Sequence, residues 1–543
     1  MEKTKRPLGV ELLTRGYISE NDIDNVLTYQ KKHPELQFGE ILYILQLCSA
    51  NKLLDVLSDK TGYPSVLITK TTLKIAPTKF FSIDYIKKNK VLPFEIDKEK
   101  GIVKVAFANI DDEKIEDEII KILAKSDLIL EKYITLGVLI DESINVQQID
   151  RNMIIPIDGD VSKTVDKIIK ASMEKRASDI HFEPFSDGIR VRIRIDGELI
   201  VLGVIEKTYM SQVIGRIKSI SNMYQEKQES QDGRIASYPD YNIRVSSQKN
   251  IYGDKIVLRL LKKNATISEI SDLGYPDDDE FLNRYFGRVN GITLITAPTG
   301  EGKTTTLYSI ISKLNNPNIN ITTIEDPVEI RIEGLNQIEV NDNITFFDSL
   351  RTVLRQDPEV ILVGEIRDGE TAQMAISAAH TGHYVLTTLH AISAAEAITR
   401  LRKLGLSNYD ISGAINTIVS QRLVRRFCTC AEPRPFSLEE KKIIKRVEEK
   451  YNVKFDIEGK TTFSLVGCDK CNGVGYYERI AIYELIEFTD NIRDMLNRDA
   501  SVGDIKKQLM VEGFKPIQVD AIEKIIKGIT SFSEVEKKIN LNM

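Results

Sequence analysis

The sequence predicts an α/β protein of several domains, with a phosphate-binding domain in its C-terminal half. Three observations predict this architecture: the chain has 543 residues, its first sixty residues repeat at a thirty-residue offset, and a glycine-rich loop follows an apolar run. At about 150 residues per domain, this length allows three or four domains. We expect a helical repeat module over 1–62, an α/β adaptor for partner docking over 63–150, an arginine-rich domain over 151–273, and a phosphate-binding α/β domain over 274–543 with an excursion at 428–471.

Composition and charge exclude several classes of protein. Hydrophobic residues make up 42% and charged residues 28% of the chain, which is ordinary for a globular protein and excludes global disorder. The net charge of −6 argues against a nucleic acid substrate. No run approaches the roughly 20 apolar residues of a membrane span, and the basic start has no apolar segment before Glu11, unlike a signal peptide. With only five cysteines, the expected compartment is the cytoplasm.

The N-terminal repeat aligns Leu8-Gly9 with Phe38-Gly39. The same offset also matches leucine, serine, asparagine and valine positions further along each copy. Each copy is predicted to form a short helix, a turn and an amphipathic helix, so that two copies can bury their apolar faces against each other. The repeat therefore predicts a helical docking module.

The middle of the chain mixes short strands with helices. An apolar run at 103–107 and a helical pattern at 113–124 are typical of an α/β adaptor. In the next domain, a helix is predicted around 164–175 and a half-buried strand over 189–195.

That half-buried strand alternates arginine with apolar residues. Arg190, Arg192 and Arg194 are expected on one face, about 6–7 Å apart at neighbouring positions. Three like charges on one face need either a bound anion or carboxylate partners, and both alternatives stay open.

The C-terminal half follows a predicted hinge at 273–276, where Gly274 and Pro276 interrupt regular structure. An acidic run at 277–280 is expected to begin a helix. Beyond it, apolar strands alternate with helices, which predicts a central, mostly parallel sheet. The predicted strands are 292–296, 321–325, 360–365 and 384–390.

The run from Ala297 to Thr304 has the pattern of a P-loop. Gly300 and Gly302 let backbone amides approach phosphate oxygens, Lys303 supplies positive charge, and Thr304 supplies a hydroxyl for Mg²⁺. The helix that follows presents its N-terminal dipole to the anion. Ala297 replaces the usual first glycine, which would cost about 1 kcal/mol if that position needed a positive φ. The predicted nucleotide-binding residues are Ala297, Pro298, Thr299, Gly300, Glu301, Gly302, Lys303, Thr304 and Thr305.

Two acidic segments lie at the ends of predicted strands and contain Glu325 and Glu365. A carboxylate at the C-terminal end of a strand beside the P-loop strand is placed to hold Mg²⁺ or the attacking water. For either acid alone, a helix-capping or loop role is the alternative.

Three of the five histidines, His380, His383 and His390, fall within eleven residues. Zinc ligation and ordinary buried histidines are alternatives to a polar cluster that senses the γ-phosphate. His380 and His383 precede the predicted strand that His390 ends, which argues against zinc, and the polar cluster is the more economical interpretation.

Four cysteines form two close pairs, Cys428 with Cys430 and Cys468 with Cys471. Four thiolates are the ligand set of a structural Zn²⁺ site, and free reduced thiols are the alternative. Cys48, alone in an apolar helical pattern, is expected to be a core residue. The zinc element is expected to contribute folding energy without chemistry.

Four segments together resemble the motor motifs of the type II secretion and type IV pilus assembly ATPases, specifically the extension branch. They are Lys303–Tyr308, Thr323–Glu329, Leu354–Glu359 and Ala379–His383. The resemblance implies a RecA-like P-loop motor, a PAS-like fold for the arginine-rich domain, and Mg²⁺-dependent ATP hydrolysis. It also implies an inner-membrane platform protein as partner, a homohexamer, and a cytoplasmic protein held peripherally at the inner face of the membrane.

The same resemblance implies roles for individual residues. Glu325 would activate water and Glu365 would lie near Mg²⁺ with Thr304, although the reverse division stays open. His380 and His383 would form the His box. Catalytic arginines reaching the nucleotide phosphates would come from the arginine-rich domain. The candidates are Arg192, Arg194 and Arg234.

The N-terminal repeat resembles a module that binds cyclic di-GMP in some relatives. The matching positions are Arg6, Leu8, Gly9, Gln30 and, in the second copy, Gly39. The second copy departs from the pattern at Phe38, Gln46 and Lys60. Two other hypotheses stay open: a regulatory scaffold, gated by nucleotide or cyclic di-GMP, with weak or no ATPase activity, and a translocase of DNA or protein.

Overall fold

The N-terminal module consists of four helices in two short–long pairs. Ser19, in the turn between the first two helices, caps the N-terminus of the second. Its backbone N–H and hydroxyl both donate to the Asp22 carboxylate at 2.8 Å. The helices are α1 Leu8–Thr14, α2 Glu20–Lys32, α3 Phe38–Ile44 and α4 Ala50–Thr61. The computed structural model describes residues 6–34, 36–45, 47–69, 72–75, 79–97, 100–124, 126–141, 143, 154–157, 159–226, 229–263, 266–341 and 343–541. Gln46 therefore lies outside the described residues.

The adaptor carries a three-stranded sheet in which β1 and β2 pair antiparallel and β2 and β3 pair parallel. Buried side chains from Leu12 to Ile140 form one hydrophobic cluster, so the helical module and the adaptor share a core. The predicted boundary at residue 150 lies outside the described residues. The elements are α5 Ile83–Asn89, β1 Val91–Asp97, β2 Ile102–Phe107, α6 Glu113–Ala124 and β3 Ile129–Ile134.

The arginine-rich segment forms a six-stranded antiparallel sheet with the order β6-β5-β4-β9-β8-β7. Apolar side chains of β5 are buried while its arginines face the partly exposed side, because side chains alternate along a strand. The elements are α7 Val161–Glu174, β4 Asp179–Phe185, β5 Gly188–Ile195, β6 Glu198–Glu206, α8 Met210–Ile220, β7 Gln231–Ile235, β8 Tyr241–Asn250 and β9 Gly253–Lys262.

The C-terminal half is built on a seven-stranded sheet with the order β12-β11-β13-β14-β10-β15-β18. All neighbours pair parallel except β15 and β18, so the predicted α/β domain with a mostly parallel sheet is confirmed. The elements are α9 Asp279–Tyr285, β10 Gly291–Thr296, α10 Lys303–Leu314, β11 Ile321–Glu325, β12 Asn336–Glu339, α11 Phe346–Val353, β13 Val360–Val363, α12 Gly369–His380, β14 Tyr384–Leu389, α13 Ala394–Lys403, α14 Asn408–Ala414, β15 Ile415–Phe427 and β18 Tyr476–Glu487.

An excursion leaves the sheet after β15 and returns at β18. It contacts the N-terminal module: Lys52 Nζ lies 3.0 Å from Glu439 Oε1, and Lys442 Nζ donates to the Gly16 carbonyl at 3.3 Å. The excursion contains β16 Glu432–Arg434, α15 Leu438–Tyr451 and β17 Thr462–Ser464. The chain then ends in α16 Asp490–Asn497, α17 Val502–Val511, α18 Ile517–Ile526 and α19 Phe532–Glu536. Within the described part of the chain, no helix combines the length and apolar character that a membrane crossing requires.

The segment predicted as a hinge is packed into the sheet domain. The Leu273 carbonyl accepts from the Ala481 N–H at 2.9 Å, and the buried Tyr275 hydroxyl donates to Gln421 Oε1 at 2.7 Å. A Cβ at Gly274 would lie 2.6 Å from Ile480 Cγ1, so this glycine permits close contact with β18. The segment predicted as a hinge at 273–276 is therefore anchored to β15 and β18.

Candidate functional site

The P-loop follows β10 at the C-terminal edge of the parallel sheet. Gly300 and Gly302 both have a φ of 79°, which a glycine adopts without steric cost. A Cβ at Gly302 would also lie 3.1 Å from Leu423 Cδ1. Ala297 is fully buried and does not have a positive φ, so the strain considered for this substitution does not arise.

The side chain of Glu301 faces the protein. Its carboxylate accepts from the Leu423 N–H at 2.6 Å and from Lys538 Nζ at 2.8 Å, which attaches the loop to β15 and to the C-terminal segment. Pro298 and Thr299 are exposed at the tip of the loop. The first residues of α10, Lys303, Thr304 and Thr305, lie at the positive end of the helix dipole.

The Lys303 ammonium turns back towards the backbone of the loop. It donates to the Ala297 carbonyl at 2.9 Å, and Nζ lies 3.5 Å from His390 Nδ1. Burial lowers the pKa of Lys303, and the nearby Glu365 opposes that shift. His390 Nε2 lies 3.2 Å from Glu365 Oε2, so one imidazole connects the P-loop lysine with the acid that follows β13.

Glu365 is also paired on its other oxygen. Arg367 bonds to Glu365 Oε1, and Arg367 Nη1 lies 3.1 Å from Asp326 Oδ2. The expectation that these acids end strands beside the P-loop strand is wrong, because β14 separates β10 from β13 and β11 lies one strand further. The residue that follows β14, one of the two strands beside β10, is His390.

Glu325 ends β11 and is 3% exposed. Its carboxylate accepts from Tyr308, from Thr323 Oγ1 at 2.6 Å and from Gln337 Nε2 at 3.2 Å. A buried carboxylate must have its hydrogen bonds satisfied, and here three side chains supply them. The motif on α10 thus contributes Tyr308 to the site as well as Lys303.

His380 and His383 lie at the opposite edge of the sheet. His383 Nδ1 lies 2.9 Å from the Ala378 carbonyl, and its own carbonyl accepts from the N–H of Gly291, which begins β10. The six residues of β14 place them about 20 Å from the P-loop edge. The predicted cluster of three histidines near the γ-phosphate is therefore wrong for these two, and only His390 lies there.

The arginines of β5 have carboxylate partners on β4. Arg192 Nη2 lies 2.7 Å from Glu183 Oε1, and Arg194 Nε lies 3.8 Å from Asp179 Oδ2. Burial raises the pKa of Glu183, but hydrogen bonds from Arg192 and Lys255 outweigh it and lower that pKa to about 2. On this face, Arg192 and Arg194 therefore each have a carboxylate partner.

Arg234 instead reaches the sheet domain. Its Nη2 lies 3.9 Å from Glu339 Oε1 at the end of β12, the strand beside Glu325. The strand register places Arg234 opposite Arg244 and Arg244 opposite Arg259. These three arginines line a cavity of about 540 Å³. Sequence reasoning missed Arg244 and Arg259, because cross-strand register is not visible in a single strand.

The four predicted zinc ligands converge. The Sγ atoms of Cys428 and Cys468, of Cys430 and Cys471, and of Cys468 and Cys471 are each 3.8 Å apart. All four ligand atoms lie within 4.8 Å of one another. Tetrahedral Zn²⁺ with Zn–S bonds of about 2.3 Å requires sulfur separations of about 3.8 Å, so this donor set matches zinc in both chemistry and spacing. Cys48 is buried in the N-terminal core, and burial raises its pKa to about 12.

The N-terminal glycines allow close packing of helices. A Cβ at Gly9 would lie 2.9 Å from Phe38 Cζ, and a Cβ at Gly39 would lie 3.2 Å from Leu8 Cδ2. The two repeat starts therefore pack against each other. Gln30 Nε2 donates to the Leu36 carbonyl at 3.1 Å. Arg6 is exposed, and its carbonyl accepts from Lys60.

A contact between domains also reaches the P-loop and was not predicted. The Arg176 guanidinium lies 3.9 Å from the centre of the Tyr477 ring, six residues after Cys471. The Glu478 N–H donates to Asp196 Oδ2 at 3.0 Å, and Arg479 Nη1 donates to the Gly300 carbonyl at 3.4 Å. We call this group the clasp.

The chain is similar to ATPases of pilus assembly and of type II secretion. The type IV pilus assembly ATPase PilB of Thermus thermophilus is 40% identical over 384 residues, which cover 69% of this chain but only 42% of that protein. The type II secretion system ATPase E of Vibrio cholerae is 37% identical over 390 residues, covering 70% of this chain and 75% of that protein. The type IV pilus assembly ATPase TfpB of Acinetobacter baylyi is 30% identical over 578 residues, covering 98% and 97%.

The fold also has counterparts among solved structures. The X-ray structure of the Legionella pneumophila ATPase DotB covers 71% of this chain and 98% of its own, with a TM-score of 0.52 and 22% identity. The family model described as "Type II/IV secretion system protein" matches residues 157–537, which include the arginine-rich sheet, the P-loop and the four cysteines. The chain belongs to the type II/IV secretion system protein family.

Proposed function

We propose that this chain is a Mg²⁺-dependent ATPase that powers assembly of a type IV pilus or a type II secretion pseudopilus. The observation that carries the proposal is the connection from Lys303 through His390 to Glu365 at the mouth of the P-loop. A lysine, an imidazole and a carboxylate in this order are suited to bind phosphate and to respond to it. The named pilus assembly and type II secretion ATPases among the relatives support the biological process.

Each group has a part in the proposed reaction. Backbone amides of the P-loop and Lys303 bind the phosphates, and Thr304 and Glu365 offer the oxygen ligands that Mg²⁺ prefers. Bound Mg²⁺ would neutralise phosphate charge. Glu325 is the base that activates water. Arg234, in the arginine-rich domain, supplies positive charge. The pairing of Arg192 and Arg194 with carboxylates favours a positioning role for them.

The family resemblance supports the assembly and the partners. We propose a homohexamer that acts on an inner-membrane platform protein from the cytoplasmic face, with no nucleic acid substrate. The arginine-rich sheet is assigned a PAS-like fold, and the N-terminal helices and the adaptor are assigned to partner docking. Mass measurement of the purified chain with nucleotide tests the hexamer directly.

Zinc is proposed as a structural ion of the excursion. The sulfur spacing of the four cysteines supports this assignment. Metal analysis of the purified protein should find about one zinc per chain, and Cys471→Ser should remove most of it. A metal-free preparation with wild-type thermal stability would contradict the assignment.

Cyclic di-GMP is proposed as a ligand of the N-terminal module, on the resemblance of Arg6, Leu8, Gly9, Gln30 and Gly39 to a binding motif. The close packing at Gly9 and Gly39 supports a different explanation for these two glycines, which is that they allow contact between helices. Calorimetry decides between them. Heat of binding at micromolar cyclic di-GMP that Arg6→Ala abolishes and Arg15→Ala preserves supports the ligand, and no heat removes it.

The decisive experiment is ATP turnover by purified wild type, Lys303→Ala and Glu325→Gln. Both variants should lose at least about 100-fold in kcat, since each removes a group required in phosphoryl transfer. Lys313→Ala, at the other end of α10 and 3.3 Å from Asp277, is the matched control. A wild-type protein that binds ATP without turnover would favour a regulatory scaffold instead, and turnover that requires DNA would favour a translocase.

A further inference from the structure

Tyr308 lies on α10, the helix that begins in the P-loop, about one and a half turns after Lys303. Its side chain is 1% exposed, and its hydroxyl donates to Glu325 Oε2. Burial, and then the adjacent Glu325, raise the pKa of Tyr308 far above its usual value. The phenol therefore stays protonated and remains a donor.

The direction of this hydroxyl is set by the loop that follows β11. The Tyr308 oxygen accepts from the Glu329 N–H at 3.2 Å and from the Ile330 N–H at 3.5 Å. Because backbone amides occupy the acceptor side of the phenol, its single proton points to the carboxylate.

The two oxygens of Glu325 are not equivalent. Oε1 accepts from Thr323 Oγ1 at 2.6 Å and from Gln337 Nε2 at 3.2 Å, which fills both of its acceptor positions. Among the described residues, Oε2 accepts from Tyr308 alone. One acceptor position of Oε2 is thus not used by these residues.

We propose that Tyr308 is a positioning residue for hydrolysis: its hydroxyl fixes Glu325 with Oε2 available to the attacking water. Because Tyr308 and Lys303 belong to one helix, the geometry of the base is fixed relative to the bound phosphates. This inference rests on the proposed function, in which Glu325 is the general base.

A double-mutant cycle on the full-length protein tests the inference. Tyr308→Phe should lower kcat by about tenfold to a hundredfold, because a misplaced base costs rate while substrate binding is untouched. Its KM for ATP should stay within about twofold of wild type. In the Glu325→Gln background, Tyr308→Phe should cause no further loss, since the group that it positions is already gone.

The matched control is Tyr384→Phe. Tyr384 is also 1% exposed, and its hydroxyl donates to Thr293 Oγ1 at 2.9 Å, inside the sheet and away from Glu325. This variant calibrates the effect of deleting one buried phenol oxygen on melting temperature and on rate. Tyr308→Phe should melt like Tyr384→Phe but turn over far more slowly.

The outcomes separate the two proposals. If Glu325→Gln keeps wild-type kcat, the assignment of Glu325 as base is wrong and the proposed mechanism fails with it. If Glu325→Gln is inactive while Tyr308→Phe matches Tyr384→Phe in kcat, only the positioning role is overturned. Equal losses from Tyr308→Phe in both backgrounds would likewise overturn it.

Discussion

His390 joins two groups that the sequence places 62 residues apart, Lys303 and Glu365. Its Nδ1 lies 3.5 Å from the ammonium of Lys303, and its Nε2 lies 3.2 Å from the carboxylate of Glu365. A phosphate held by Lys303 would therefore lie next to this imidazole. His383, by contrast, contacts the backbone carbonyl of Ala378 at the other edge of the sheet.

At this scale we expect His390→Ala to lower ATPase kcat by at least about tenfold, in the range of a general acid–base or polarising group. His380→Ala is the comparison, since His380 is exposed at the opposite edge. Steady-state turnover at saturating ATP measures both variants. A larger loss from His380→Ala than from His390→Ala would contradict the position-based assignment.

At the scale of elements, β4 and β5 combine apolar burial on one face with charge pairing on the other. Glu183 on β4 is 7% exposed and has Arg192 and Lys255 as partners at 2.7 and 3.0 Å. The sheet therefore contains a carboxylate that stays ionised well below its ordinary pKa. Such pairs link the stability of the sheet to pH.

This linkage predicts a specific acid dependence. Because the pKa of Glu183 falls from 4.5 to about 2 on folding, its stabilising contribution is complete above about pH 5 and is lost as pH falls towards 2. Glu183→Gln should lower thermal stability near pH 7, and its difference from wild type should shrink below about pH 4.5. Calorimetry across this range checks the expectation. Asp187→Asn, on the exposed turn after β4, should show no such change.

The sequence predicts four of the seven strands of the C-terminal sheet almost to the residue, because each is a short apolar run bounded by polar segments. It did not predict β12, β15 and β18. The prediction of 321–325 matches β11, and 360–365 exceeds β13 by two residues. Strand order was not predictable in the same way, since it depends on which apolar faces pack together in space. The misplacement of His380 and His383 has another cause: they precede β14 and His390 follows it, so the length of that strand separates them from the P-loop edge.

Local chemistry was predictable where ligands are close in sequence. The P-loop and the two cysteine pairs are recognised by spacing, and the structure brings the cysteines together. The row formed by Arg234, Arg244 and Arg259 was not predictable, because it runs across three strands. The contact of Tyr308 with Glu325 joins a helix to a strand end and is equally invisible to spacing.

At the scale of the whole molecule, the clasp connects the arginine-rich sheet, the end of the excursion that carries the four cysteines, and the P-loop. Arg176 stacks on Tyr477 at 3.9 Å, and two residues later Arg479 donates to the carbonyl of Gly300. The Lys470 ammonium also lies 4.5 Å from the centre of the Tyr477 ring. The clasp thereby joins the arginine-rich domain to a segment that contacts the P-loop.

We expect Tyr477→Ala to raise the KM for ATP by several-fold, since a cation–π contact of about 1 kcal/mol is lost next to the P-loop. Zinc content should stay at the wild-type level, because no cysteine changes. Turnover assays paired with metal analysis measure both. Tyr409→Ala, at a residue 75% exposed on the far edge of the sheet, is the control. Equal KM values for the two variants would show that the clasp does not affect nucleotide binding.

The contact between the N-terminal module and the excursion sets an order of events during synthesis. Lys442 and the Gly16 carbonyl that it binds are 426 residues apart. A ribosome that adds roughly 5–20 residues per second needs about 20–85 s to make the second partner after the first. The first helices can close their core with the adaptor during that interval. On every nascent chain, the surface around Gly16 and Lys52 therefore faces solvent until the excursion has been translated.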